Sequence, residues 1–120
     1  RTRLVRKVRN EEATPTASWT NRIHVEDCAG ALRHLMRVAD PENLYLGSDD
    51  EPVTTADVVN WMRAELGLDA PHPALSENRT ERLNKRCRNA RLREAGYQFQ
   101  YPTFREGYRP IVREFLSQSA

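Results

Sequence analysis

Short apolar runs alternate along this chain with stretches in which apolar residues recur at helical spacing. Residues 22–25 form a β-like run and precede a helical pattern over residues 26–39. Residues 43–47 form a second apolar run, and residues 54–66 carry the next helical pattern. Because strands that alternate with helices usually pair in parallel, this order predicts an α/β fold with parallel pairing. Two such strands are too few for a self-sufficient doubly wound sheet, so we expect the end of a larger sheet.

Turn and capping residues predict where these two helices begin and end. Glu26 and Asp27 lie in the first turn of the first helix, where acids complement the exposed N–H groups. Thr54 and Asp57 have the spacing of a capping box, and Gly67 is placed to end the second helix. Glu26 and Asp27 are therefore expected to act mainly on structure.

The rest of the chain is predicted to be helical at both ends and irregular between. The first helix covers residues 1–12, and the last follows a capping box of Thr103 and Glu106 and contains Pro110, which is expected to kink it. The predictions between them are a loop at 68–83, a short strand at 85–87, a short helix at 90–95 between Asn89 and Gly96, and an extended piece at 97–101.

Length and composition exclude several classes of protein. A chain of 120 residues fits one domain, which buries roughly two-thirds of the surface that the unfolded chain exposes. Cys28 and Cys87 form neither a CxxC pair nor a disulfide framework, so no metal site is expected and a reducing, cytoplasmic setting is favoured. No apolar run approaches the ~18 residues of a membrane span, and no signal peptide is recognised.

Basic residues crowd two regions of a chain whose formal net charge is only +2. They are Arg1, Arg3, Arg6, Lys7 and Arg9 at the start, and Arg79, Arg82, Lys85, Arg86, Arg88, Arg91 and Arg93 further on. Binding of nucleic acid would be supported by interleaved aromatic residues, which residues 79–93 lack. A solvated face is therefore the favoured interpretation, and no nucleic-acid partner is expected.

Residues 21–27 place several polar side chains next to the first predicted strand. His24 and Asp27 could form a catalytic or substrate-binding pair, although residues of these types at an element boundary more often satisfy backbone groups there. Arg22, with Asn21 beside it, could present its planar guanidinium to a phosphate or carboxylate, or could simply be solvated. The residues alone leave both alternatives open.

Tyr101 and Arg105 have the spacing Tyr-x-x-x-basic. This resembles the Tyr-x-x-x-Lys pair of hydride-transfer enzymes, but the partner here is arginine and Pro102 follows the tyrosine. The capping box of Thr103 and Glu106 accounts for this stretch better, so we assign no catalytic role to it.

Three stretches together resemble the extended short-chain dehydrogenase/reductases, the NAD-dependent epimerase/dehydratase group. They are NRIHVEDCAGAL, NLYLGSDDEPVTTADVVNWMRAELGL and NKRCRNARLREAGYQFQYPTFREGY. Each motif alone is weak, but their order and spacing are fairly specific and cover most of the chain, up to about Val112. The sequences of these motifs are most similar to those of the sugar-nucleotide-epimerase-like members.

The resemblance implies a C-terminal portion of such an enzyme over residues 1–120, with the last strands of a Rossmann-type parallel sheet and a small, mostly helical substrate-binding lobe. In the family a G-x-x-G-x-x-G loop and a Tyr-x-x-x-Lys pair precede this region, and neither pattern occurs here. The chain also begins at Arg1, directly in a helical pattern, so we expect a fragment or a processed product. NAD or NADP is implied for the parent protein, and no cofactor-binding or catalytic residue is assigned in this chain.

The resemblance also implies where a small-molecule substrate, such as a nucleotide sugar, would bind. In sugar-nucleotide epimerases an arginine before the I-H-V run contacts the ligand phosphate; Thr20 holds that position here, and Arg22 lies two residues further on. The candidate substrate-binding residues are Asn21, Arg22, His24, Lys85 and Arg86.

The leading hypothesis is therefore a substrate-binding fragment of an NAD(P)-dependent epimerase, dehydratase or reductase, inactive by itself. The alternative is a small non-catalytic module whose basic face binds nucleic acid or an acidic partner. A truncated sheet would also leave an open edge, through which we expect the chain to form homo-oligomers.

Overall fold

The computed structural model describes residues 2–69, 73 and 84–118. Within these residues it forms five helices and two short strands. In chain order they are α1 (Arg3–Arg9), β1 (Trp19–Thr20), α2 (Val25–Leu35), β2 (Val53–Thr54), α3 (Thr55–Glu65), α4 (Ala90–Glu94) and α5 (Phe104–Gln118). No helix among them is both long enough and apolar enough to cross a membrane. The loop predicted for residues 68–83 lies mostly outside the described residues.

The main core lies where α1, α3 and α5 pack together. Val5 and Val8 of α1 and Met62 of α3 are at most 1% exposed, as is Val112 of α5. These residues repeat at helical spacing, so one face of each helix is apolar and is buried against the others. Phe104 joins the same cluster from the first turn of α5 and meets the ring of Trp61 edge to face.

A second, smaller core joins α2 to α4 and to the segment that follows α4. Its buried members are Ala31, Leu92 and Tyr97, and Leu35 and Phe99 pack against them. The short helix α4 buries only Leu92. The candidate site described below lies among the loops that connect the two cores.

The mixed helix-and-strand class is confirmed, but the predicted parallel pairing is not found in the described residues. The sheet there has two strands, β1 and β2, and they are antiparallel, with Trp19 opposite Thr54 and Thr20 opposite Val53. The Thr20 hydroxyl adds a hydrogen bond of 2.7 Å to the carbonyl group of Val53. The strand predicted at residues 22–25 is therefore displaced upstream.

Residues 43–47 are also not a strand, although their sequence is apolar. Leu44 is 62% exposed and Leu46 is 43% exposed. A strand is held by hydrogen bonds to a neighbouring strand, and no such neighbour lies beside this segment in the described part of the chain. The segment is apolar as the sequence shows, but without a partner strand in the described residues it does not form a strand.

The strand predicted at residues 85–87 is replaced by two asparagine clamps. The N–H of Trp19 donates to Asn84 Oδ1 at 2.7 Å, and the N–H of Cys87 donates to Asn21 Oδ1 at 2.7 Å. Asn21 Nδ2 also donates to the carbonyl oxygen of Lys85 at 2.8 Å. Side-chain amides thus make the bonds between these two segments that backbone groups would make in a sheet.

Helix ends follow the predicted signals closely. Thr54 and Asp57 form a complete capping box, and Gly67, just beyond α3, has a φ of 73°. Gly96 ends α4 with a φ of 95°, a left-handed conformation that glycine adopts without a Cβ penalty. Pro110 lies inside α5, which is one continuous helix. The helix predicted at 1–12 is shorter at both ends, whereas α2 and α4 begin within one residue of the predicted starts and end before the predicted residues 39 and 95.

Candidate functional site

Two clefts lie side by side between the cores. The first, which we name the Arg22 cleft, has a volume of about 440 Å³ and is lined by Asn21, Arg22, Ile23, His24, Val25, Asp49, Thr103, Phe104, Gly107, Tyr108 and Ile111. The second, the Arg86 cleft, has a volume of about 640 Å³ and is lined by Trp19, Asp49, Asp50, Pro52, Arg86, Cys87, Arg88, Asn89, Ala90 and Arg93. Asp49 belongs to the walls of both.

Arg22 is oriented by the strand residue that precedes it. Its Nε donates to Thr20 Oγ1 at 3.2 Å, and the same hydroxyl group donates to the carbonyl of Val53 at 2.7 Å. Thr20 therefore positions the guanidinium of Arg22. Within the described residues the two terminal nitrogens of the guanidinium have no protein partner.

His24 is held from three sides. It is the N-cap of α2, and its Nδ1 accepts the N–H of Glu26 at 3.0 Å. Its ring stacks on Tyr101, with ring centroids 3.8 Å apart and planes 12° apart. A Cβ on Gly107 would lie 2.9 Å from His24 Cδ2, so glycine allows α5 to approach this closely. Because Nδ1 is an acceptor, the neutral ring carries its proton on Nε2.

Asp27 has a structural role, but it binds a distant segment and not the N–H groups at the start of α2. It is fully buried and accepts hydrogen bonds from the Tyr97 hydroxyl at 2.6 Å and from the N–H groups of Gln100 and Tyr101, each at 2.8 Å. Burial, together with this carboxylate, raises the pKa of Tyr97 to about 12, so the hydroxyl remains a donor. Asp27 therefore holds the segment that carries Tyr101 against His24.

The predicted site residues are divided between the two clefts. Asn21, Arg22 and His24 come together in the Arg22 cleft, although both polar atoms of the Asn21 amide are used in clamping residues 85–87. Arg86 lies in the Arg86 cleft, with its guanidinium carbon 4.7 Å from the centre of the Trp19 ring. The exposed residue Lys85 lines neither cleft and contributes its carbonyl oxygen to the Asn21 clamp.

The three consecutive acids Asp49, Asp50 and Glu51 have different environments, and the first two of them line the clefts. Asp50 forms an ion pair with Arg93 and also accepts from Asn89, and the Arg93 hydrogen bond holds the pKa of Asp50 below its usual range. Glu51 pairs with Arg105 at 2.5 Å. Asp49 forms no ion pair among the described residues, and burial raises its pKa to about 6; the charges of its two acidic neighbours act in the same direction, and the charge of Arg22 acts in the opposite one.

Asp49 was missed by sequence reasoning because nothing distinguishes it from Asp50 and Glu51 in a polar loop. Phe104 and Tyr108 were likewise not predicted as site residues, yet both line the Arg22 cleft. Within the described residues no group of three or more His, Cys, Asp or Glu side chains could hold a metal ion.

A solved structure from Methylobacillus flagellatus, provisionally described as an NAD-dependent epimerase/dehydratase, has the same fold over 96% of this chain, with a TM-score of 0.79 and 31% sequence identity. The resemblance inferred from the sequence is confirmed. A solved structure of a protein from Silicibacter pomeroyi DSS, described as functionally unknown, matches 81% of this chain, with a TM-score of 0.65 and 34% identity.

The match extends over only part of these relatives. The chain spans 42% of the M. flagellatus epimerase/dehydratase and 38% of the S. pomeroyi protein. No protein-family model matches the chain, and no curated protein matches it significantly.

Proposed function

We propose that this chain is the substrate-binding part of an NAD(P)-dependent epimerase, dehydratase or reductase, and that the Arg22 cleft receives an anionic small molecule such as a nucleotide sugar. The observation that carries the proposal is the guanidinium of Arg22, which is oriented through Nε and has its terminal nitrogens available at the cleft. A guanidinium with two parallel N–H groups matches a phosphate or carboxylate group.

The remainder of the cleft suits a ligand with an apolar surface as well as a charge. Phe104, Tyr108 and Ile111 supply apolar walls, and His24 offers a ring nitrogen whose orientation is set by its cap and its stack. Ligand sites commonly combine mostly apolar walls with a few oriented polar groups. His24 and Arg22 are therefore proposed as ligand contacts, and Asn21 as a residue that positions the neighbouring segment.

The cofactor and the hydride-transfer chemistry are proposed to belong to residues outside this chain. The matched relatives are more than twice as long, and this chain lacks the glycine-rich loop that would hold a dinucleotide. Val25 and Leu32 of α2 and its C-cap Met36 form a strongly exposed apolar face, and Leu44 and Leu46 are exposed nearby in sequence. Such a face favours packing against further protein, either the rest of a Rossmann-type sheet or a second copy of the chain.

Binding of UDP-glucose to the ¹⁵N-labelled chain, followed by NMR, tests this proposal. We expect shifts in the amide signals of residues 21–25 and 103–108, and an affinity at least about tenfold lower for Arg22→Gln, as for loss of a charge-assisted hydrogen bond. Arg37→Gln is the matched control, because Arg37 is exposed and lines neither cleft. NAD is expected to cause no comparable shifts.

The proposal fails if UDP-glucose shifts none of these signals, or if Arg22→Gln and Arg37→Gln bind it equally. If UDP-glucose binds as expected but NAD also causes comparable shifts, this chain would contain a cofactor contact. A folded spectrum for each variant separates a lost contact from a lost fold.

A second candidate function is suggested by the Arg86 cleft, where the fold brings Trp19 beside Arg86 and Arg88. An aromatic ring among cations is the arrangement used for single-stranded nucleic acid. Fluorescence anisotropy with a labelled oligonucleotide distinguishes this function: tight binding whose affinity falls steeply with salt and with Arg88→Gln would favour it. Binding that is weak at physiological salt would support the small-molecule function.

A further inference from the structure

Asp49 is 4% exposed, yet it is the residue that the two clefts share. Its Oδ1 accepts the N–H of Glu51 at 3.0 Å, and its own N–H donates to the carbonyl of Arg22 at 2.6 Å. Among the described residues no protein group donates to Oδ2. A buried carboxylate therefore keeps one acceptor atom unused at the junction of two cavities.

This arrangement has no evident structural purpose. Asp50 and Glu51 each form an ion pair with an arginine, and the three donors that surround Asp27 fix a loop. Asp49 instead makes one local turn bond, which an asparagine could make equally well. A buried carboxylate that costs folding free energy and leaves an acceptor open at a cleft is typical of a functional site.

We propose that Asp49 accepts a hydrogen bond from a hydroxyl group of a sugar phosphate, or of the sugar phosphate part of a nucleotide sugar, whose phosphate lies on Arg22. This inference rests on the proposed function, since it assigns the two ends of the ligand within the Arg22 cleft. It adds a ligand-binding residue and a basis for specificity. The carboxylate of Asp49 selects for a hydroxyl group of the ligand, and the adjacent guanidinium of Arg22 selects for its phosphate.

The surroundings of Asp49 favour a sugar over other hydroxyl-bearing anions. A carboxylate is a strong acceptor for the hydroxyl groups of a sugar, and the C–H faces of the sugar can pack on Tyr108 and Phe104. Arg22 is close enough to lower the pKa of Asp49 by its charge. A neutral hydroxyl is therefore a better donor for this position than an ammonium group, which the nearby guanidinium would repel.

The test compares three probes at pH 7.5 by NMR: glucose 1-phosphate, glucose and inorganic phosphate. We expect glucose 1-phosphate to bind more tightly than either of the others. Asp49→Asn should weaken the binding of glucose 1-phosphate about tenfold, as expected for loss of a charge-assisted hydrogen bond. The same substitution should leave the binding of inorganic phosphate unchanged. Arg22→Gln should weaken both.

Asp40→Asn is the control, because Asp40 is exposed and lines neither cleft. It should bind every probe as the unsubstituted chain does. Asp49→Asn removes a buried charge and keeps the turn acceptor, so it is expected to fold at least as well as the unsubstituted chain.

The outcomes separate the two proposals. If glucose 1-phosphate shifts the signals of the Arg22 cleft and Asp49→Asn binds it unchanged, the role of Asp49 is overturned and the proposed function stands. If no probe shifts these signals in the unsubstituted chain, both are overturned. If Asp49→Asn weakens the binding of inorganic phosphate as much as that of glucose 1-phosphate, Asp49 acts through Arg22 and not on a hydroxyl group of the ligand. This outcome also overturns the inference.

Discussion

The carboxylate of Asp27 accepts a hydrogen bond from the hydroxyl group of Tyr97 at 2.6 Å, and both side chains are buried. The same carboxylate receives the N–H groups of Gln100 and Tyr101, so one side chain at the start of α2 holds a segment more than 70 residues away. Tyr101 in turn stacks on His24. The wall of the Arg22 cleft is thus supported by a buried network behind it.

The first prediction concerns this network. Tyr97→Phe should lower the free energy of unfolding by about 2 kcal/mol, because it removes a hydrogen bond to a charged group. Asp27→Ala should cost more than about 3 kcal/mol, since three donors lose their acceptor. Urea unfolding measures both. Tyr45→Phe is the control: among the described residues the Tyr45 hydroxyl accepts one local N–H, from Glu42, so its loss should cost well under about 1 kcal/mol.

The second prediction concerns the close approach of α5 to His24. Gly107→Ala places a methyl group 2.9 Å from His24 Cδ2, so the imidazole must shift from its position against Tyr101. We expect binding of UDP-glucose to weaken at least about fivefold. Helix content should be retained, because alanine is more favourable than glycine in a helix interior by up to about 1 kcal/mol. Gly47→Ala, which meets nothing within 4 Å, should leave binding unchanged. Equal binding by both variants would contradict the role of His24.

The third prediction concerns pH. The folded pKa of Asp49 is about 6, above its ordinary value of 3.8, so the unfolded chain releases this proton first as pH rises. The contribution of Asp49 to stability should therefore fall as pH rises from about 4 to about 6 and stay low above that. Asp49→Asn should raise the free energy of unfolding at pH 7.5 by at most about 3 kcal/mol.

The same substitution should have little effect at pH 4, where Asp49 is protonated in the folded chain and little charge is removed. Urea unfolding of both proteins at pH 4 and pH 7.5 checks the sign. A gain in stability at pH 4 that disappears at pH 7.5 is the opposite dependence and would contradict a raised pKa.

The fourth prediction concerns the asparagine clamp. Asn21→Ala removes the acceptor for the N–H of Cys87 and the donor to the carbonyl of Lys85, so residues 85–87 should detach from β1. Hydrogen exchange at the Cys87 amide is expected to accelerate at least about tenfold, which corresponds to a loss of about 1.4 kcal/mol of local protection. Asn43→Ala, in an exposed bend, should leave exchange at Cys87 unchanged.

Helices were predictable here because their signals are local. The capping box at Thr54 and Asp57 and the left-handed glycines at 67 and 96 lie within a few residues of the helix ends that they define. The apolar spacing of the helices that contain Val8, Met62 and Val112 likewise indicated their buried faces.

Strands were less predictable because a strand depends on its partner. Residues 43–47 have strand composition but no neighbouring strand in the described part of the chain, whereas Trp19 and Thr20 pair with β2 without a strong pattern of their own. At the site, the burial of Asp49 was unpredictable for the same reason. Its burial between two clefts results from contacts with distant segments, which three consecutive acids in a loop do not indicate.

Intermolecular NOEs between UDP-glucose and the labelled chain test the central claim most directly, because they locate the ligand. The account predicts NOEs from the glucose protons to the rings of Tyr108 and Phe104, together with an affinity for UDP-glucose at least about tenfold lower in Arg22→Gln. NOEs confined to the Trp19 ring would place the ligand in the Arg86 cleft and contradict the assignment of the Arg22 cleft as the substrate site.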